Sequence, residues 1–212
     1  MGRQSSVILC VLLAIALAPF GSGQSKDGVT DRAGRESLGR WLKNLNGSQG
    51  GLIVSVDDAS VGKALPSKLF YVLQFRQYPV AQVLPEPLSY NNLFAVRADS
   101  KVELLADTNA LETLFRSSLA PVKGKAEAAT ALKAWLRLTQ EFNQDGSFEF
   151  SIPDNAVEIR ADRNGINASG KAVVVPASGN RGEINVQMIF DSAGKLTKVI
   201  ENAQIIPGRR PQ

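Results

Sequence analysis

Acids recur at four-residue steps in the stretch Glu141-Phe142-Asn143-Gln144-Asp145-Gly146-Ser147-Phe148-Glu149. Two carboxylates facing each other across a cleft can cleave glycosidic bonds, one donating a proton and the other acting as base or nucleophile. Glu141, Asp145 and Glu149 are neighbours along the chain, which does not place any two of them across a cleft. They are therefore read as solvated acids at a helix end. Residues Asn143 to Glu149 also put oxygen side chains at alternate positions, as a calcium loop does. Such a loop needs a glycine at its sixth position and a bidentate glutamate at its twelfth. Here the glycine is misplaced and the twelfth position is Asp154. The stretch is expected to be a helix-ending turn that feeds a strand.

The absences narrow the chemistry further. The chain has no histidine, and its one cysteine, Cys10, lies in an apolar run near the start. Histidine is the commonest general base and metal ligand, so serine–histidine and cysteine–histidine catalysis and the usual zinc sites are excluded. Carboxylates, Lys, Arg, Tyr, Ser and Thr remain. No cofactor and no metal site is expected, and no catalytic residue can be assigned. Gly21-Ser22-Gly23 is the nearest thing to a phosphate-binding glycine loop, and it falls in the leader described next.

Arg3 precedes the apolar run Val7 to Phe20, and the small residues Gly21-Ser22-Gly23 follow it. That order predicts a signal peptide over residues 1–23, cut before Gln24. The run is shorter than the roughly 20 residues a membrane-spanning helix needs, and Pro19 would break a helix there. Leu9 before Cys10, with apolar sequence after it, argues against lipid attachment at that cysteine. After cleavage no integral membrane segment is expected, and 189 residues remain, with 23 Lys+Arg against 20 Asp+Glu. A net charge of +3, with the two signs interleaved, does not make the basic stripe of a nucleic-acid binder. Lys123, Lys125, Lys133 and Arg137 are read as a solvated helix flank. Asn46-Gly47-Ser48 and Asn167-Ala168-Ser169 match the glycosylation acceptor pattern and are read as turn residues. Trp41 and Trp135 lie on apolar stripes, which favours core packing over carbohydrate stacking.

These residues must be positioned by regular elements. Leu38, Trp41, Leu42 and Leu45 fall at helical spacing from a start near Asp31. Gly34 and Gly39 each weaken that helix by roughly 1 kcal/mol relative to alanine. Strands are predicted at Leu52–Val56 and Lys68–Gln77, followed by a proline-rich loop from Pro79 to Pro87. A hairpin over Leu93–Arg97 and Lys101–Ala106 comes next. Leu111, Leu114, Phe115 and Leu119 mark a helix from Asn109, with Glu112 at capping-box spacing. The clearest helix runs from Lys125 to Asn143 on the stripe Ala128, Ala131, Leu132, Trp135, Leu138 and Phe142. Strands follow through Phe148–Ile152, Val157–Ile159 and Val173–Val175. Ile184, Val186, Met188 and Phe190 then alternate with polar residues, and the loop Asp191-Ser192-Ala193-Gly194 turns into a last strand from Lys195 to Ile206. Pro207 to Gln212 forms a basic tail.

The expected fold is α+β, with helices packed on one face of an antiparallel β-meander. Residues 24–106 form an N-terminal α+β portion and residues 107–212 a C-terminal helix-plus-sheet portion, as two domains or as parts of one. From about 107 to 207 the element order resembles cystatin-like, nuclear-transport-factor-like and PepSY-type domains. The hairpin Phe190-Asp191-Ser192-Ala193-Gly194-Lys195-Leu196 is similar to the last hairpin of PepSY-type domains. The likeness carries no functional residue with it. The expected function is that of an exported, soluble, non-enzymatic binding or interaction protein of the cell envelope or extracellular space. Its partner would be a protein, a peptide or an envelope polymer. The alternatives are a carboxylate-based hydrolase acting on an extracellular polymer, and a peptide-binding or protease-inhibitory accessory domain.

Overall fold

The computed structural model describes residues 30–45, 51–75, 86–88, 92–142, 148–153, 155–176 and 182–204. Residues 1–23 and their cleavage site, Asn46 to Ser48, the stretch from Asn143 to Ser147, Asp154 and the basic tail lie outside them. The fold is α+β, with two antiparallel sheets.

Helix α1 (Asp31–Lys43) starts at Thr30, whose side chain accepts from the Ala33 amide. Asp31 sits in its first turn and Arg40 and Lys43 in its last, as the helix dipole favours. Four strands, β1 (Gly51–Ser55), β2 (Lys68–Phe75), β3 (Asn92–Arg97) and β4 (Val102–Leu105), form the first sheet as a meander in sequence order. Both of its faces are apolar. Tyr71, Leu73, Phe94 and Val96 pack under Leu38 and Leu42 of α1, with Trp41 set edge-on to Phe94 at 5.5 Å. Phe70, Val72, Leu93, Ala95 and Leu105 face the other way, into the larger core.

That core is filled by three helices. The short α2 (Ala59–Ala64) is the one element without a counterpart in the sequence reading. Asp58 starts it, accepting from the Ser60 and Val61 amides at 2.8 and 3.1 Å. Helix α3 (Thr108–Ser118) begins one residue before the expected Asn109, and its cap is Asp107, which accepts from the Ala110 amide at 2.8 Å. The capping-box reading at Asn109 is thereby corrected, because a carboxylate two residues earlier already satisfies the first turn. Helix α4 (Lys125–Thr139) runs on into a 3₁₀ turn over Gln140–Phe142. Ala134, Leu136 and Thr139 are buried along with the predicted stripe, so α4 is enclosed on more sides than a surface helix would be.

The second sheet comprises β5 (Phe148–Ser151), β6 (Val157–Asp162), β7 (Gly165–Pro176), β8 (Gly182–Asp191) and β9 (Leu196–Gln204). Strands β5 and β6 both pair with the long β7, as two halves of one interrupted edge. Ile184, Val186, Met188 and Phe190 project from β8 into the same core as Trp135, as their alternation predicts. Glu158, Arg160, Asn185, Lys198, Ile200 and Asn202 are exposed on the opposite face. At the β8–β9 turn Asp191 accepts from the Ala193 and Lys195 amides, and Gly194 takes φ 76°, where a side chain would run into the Val122 carbonyl.

Two predictions follow from this packing. Trp135 is 1% exposed and meets Phe115 edge-on at 5.1 Å. Trp135→Ala should cost about 3–5 kcal/mol in a denaturant titration, a large part of the stability of a typical domain. A β-carbon at Gly34 would overlap the Tyr71 hydroxyl, whereas Gly39 has open space around it. Gly39→Ala should therefore raise stability by roughly 1 kcal/mol and Gly34→Ala should lower it, although both remove a glycine from the same helix. Equal effects in thermal melts would contradict this account of Gly34.

Candidate functional site

One cleft follows from a mismatch in strand length. Strand β1 ends at Ser55, opposite Tyr71, while β2 begins three residues further out, at Lys68. The Val56 amide still reaches the Phe70 carbonyl at 2.9 Å, and then the chain turns through Asp57 and Asp58 into α2. Between that turn, α2 and the uncovered end of β2 lies a cleft of about 720 Å³. Its walls combine Val56, Val61, Leu69 and Phe70 with Asp31, Ser55, Asp57, Asp58, Lys63, Lys68 and Tyr71.

Most of these charges are already engaged. Arg35 donates to the Asp31 carboxylate at 2.7 Å, to the Ile53 carbonyl at 2.6 Å and to Ser55 Oγ. Ser55 in turn donates to Asp31 at 2.9 Å. The Tyr71 hydroxyl donates to the Asp31 carbonyl at 3.1 Å, and the Arg35 guanidinium stands 5.7 Å from the centre of the tyrosine ring. Burial alone would raise the Asp31 carboxyl. The hydrogen bonds from Arg35 and Ser55, with the charge of Arg35, outweigh it and hold the group below its ordinary value. Burial and the nearby Asp31 charge push the Tyr71 phenol well up, so it remains a neutral donor. Asp58 caps α2 and stands 4.0 Å from Arg137 of α4. Lys68 is only 5% exposed and donates to Glu103 at 3.2 Å, while Arg97 approaches the other oxygen of that carboxylate at 3.9 Å.

Acid–base chemistry between two carboxylates needs one held ionised and one held protonated. In the cleft Asp31 is held ionised by Arg35 and Ser55, and Asp58 is committed to the start of α2. Among the described residues no group of three or more acidic or metal-binding side chains is placed to hold a metal ion. The arrangement can hold a polar ligand through hydrogen bonds and charges of both signs.

The residues singled out in the sequence do not converge on this cleft. Glu141 is 7% exposed, which corrects its reading as a solvated acid: the 3₁₀ turn after α4 folds it against β3. Burial raises its carboxyl, and the charge of Arg137 opposes that shift only in part. Asp145 and the side chain of Glu149 lie outside the described residues. Lys123 and Lys125 are exposed, but Lys133 and Arg137 are half-buried and Arg137 faces Asp58, so the four do not form one free basic flank. Asn167 is not a turn residue, since it sits within β7, paired with Arg160 and Ile189. Trp41 is half-buried and Trp135 fully buried, in keeping with core packing. The indole N–H of Trp135 donates to Glu201 at 2.9 Å. Sequence reasoning missed Asp31, Ser55, Asp57, Lys63, Lys68 and Tyr71 as a group. The one local signal was Asp58 ahead of Ser60 and Val61, a helix start.

Glu141 and Glu201 set a pH dependence. Burial raises both above the ordinary value of 4.5, and the Trp135 hydrogen bond only partly offsets this for Glu201. As pH rises past 4.5, the unfolded chain releases these protons before the folded one does, so stability falls until both groups are ionised in the folded state. Glu201→Gln keeps an acceptor for the indole and removes the charge. The double variant Glu141→Gln/Glu201→Gln should match the parent chain at pH 4 and melt higher at pH 7. A lower melting temperature at pH 7 would contradict this assignment.

No family model matches the chain, and neither curated proteins nor solved structures offer a significant match.

Proposed function

We propose that the chain is an exported binding protein of the cell envelope or extracellular space, and that its ligand occupies the cleft between β1, α2 and β2. The observation that carries this reading is the state of the cleft's acids. Asp31 is locked by Arg35 and Ser55, and Asp58 is committed to capping α2. What is left is a preformed recess with apolar walls and a few charges, within the roughly 300–1,000 Å³ typical of small-molecule sites. The order of Arg3, apolar run and small residues over 1–23 supports export. Among the described residues no helix is long and apolar enough to cross a membrane.

Two measurements test the reading. Expressed with its full leader, the protein should appear outside the cytoplasm with an intact mass that begins at Gln24. Titration with free amino acids, dipeptides and simple sugars should then move amide resonances within Ser55–Lys63 and Lys68–Tyr71. An uncleaved product held in the membrane would overturn the export reading. Turnover of a probe into products would favour the hydrolase alternative instead.

A further inference from the structure

The cleft's hydrogen-bonding groups are unevenly satisfied, and the imbalance points to a class of ligand. An ammonium carries three N–H donors. Lys68 Nζ makes one hydrogen bond among the described residues, to Glu103, although the side chain is 95% buried and lines the cleft. A buried charge with spare donors is costly unless an acceptor meets them. Lys63 and Asp57, at the two ends of α2, also line the cleft, and neither forms an ion pair or a side-chain hydrogen bond among the described residues. The cleft therefore offers unused donors at Lys68 and Lys63 and an unused acceptor at Asp57.

We propose that the cleft binds a small zwitterion of the dipeptide class, its carboxylate on Lys68 and its ammonium towards Asp57. This rests on the cleft being a binding site. A simple anion would satisfy the lysines and be repelled by Asp57, and a simple cation would meet the reverse arrangement. A ligand with both charges meets both kinds of group. Val56, Val61 and Leu69 lie among these charged groups and give apolar surface to a small side chain. A cleft of about 720 Å³ has room for more than one amino acid.

The test compares alanyl-alanine with its N-acetylated form and its C-terminal amide, read by amide resonances of the purified protein. Free alanyl-alanine should move resonances in Asp57–Lys63 and Lys68–Tyr71, and either cap should weaken binding roughly tenfold or more, since each removes a charge-assisted hydrogen bond. Lys68→Met should abolish the preference for the free carboxylate. Because that change strands Glu103, Asp57→Asn serves as a second variant, in which the free and acetylated peptides should bind equally. Capped peptides or sugars that bind the cleft as tightly as free alanyl-alanine would overturn the zwitterion assignment and leave the binding reading standing. Cleft resonances unmoved by every probe would overturn both.

Discussion

The burial of helix α4 between the second sheet and helix α2 is the constraint on which the rest of the architecture depends. A helix with one sheet beside it needs a single apolar stripe, and α4 instead buries Ala134, Leu136 and Thr139 as well as Ala128, Leu132, Trp135 and Leu138. Its small residues let neighbours approach closely, while Trp135 and Leu132 fill the wider gaps. Leu132 lies so near β7 at Gly170 that a β-carbon there would crowd it. Because one apolar cluster takes in the inner face of the first sheet, all three inner helices and the inner face of the second, loosening α4 would open both halves together. Helix α1 stands apart from this cluster and stabilises only the outer face of the first sheet.

Charges have been placed where these layers meet. Arg35 joins α1 to β1, Arg137 joins α4 to the start of α2, Lys68 joins β2 to β4 through Glu103, and Arg116 of α3 reaches the Leu196 carbonyl of β9. Half-buried pairs of this kind contribute little stability on average, yet each fixes the position of one element against another. The cleft is a by-product of the same arrangement. Its acids are arranged first to hold α1 and α2 in place, and the groups left over are the ones able to meet a ligand.

Long periodic segments were the legible part of the sequence. The stripes of α1, α3 and α4 and the alternation in β8 each come from burial of one face, and burial imposes a period. Helix α2 was not legible because six residues do not establish a helical period, and Gly62 weakens even that. Glu141 was misread for a related reason: a helix flank reads as solvated until a second layer is known to cover it. The cleft was hidden in another way. Its groups come from positions 31, 55–63 and 68–71, and only the antiparallel register of β1 on β2 brings them together. No short motif marks a site whose residues are assembled by strand pairing.

Strand β9 is nine residues long and stands last in the strand order of the second sheet, with α3 and its Arg116 meeting it at Leu196. Sheet edges invite molecules to stack into fibrils, and an ionisable side chain turned inward on an edge strand discourages this. Glu201 is that residue. Among the described residues its carboxylate accepts from Trp135, and a strand added alongside would take away what contact with water it still has. Burial of Glu201, which the hydrogen bond from Trp135 offsets only in part, thus costs the fold some stability at neutral pH, and an inward-turned carboxylate on an end strand disfavours edge-to-edge joining of crowded copies.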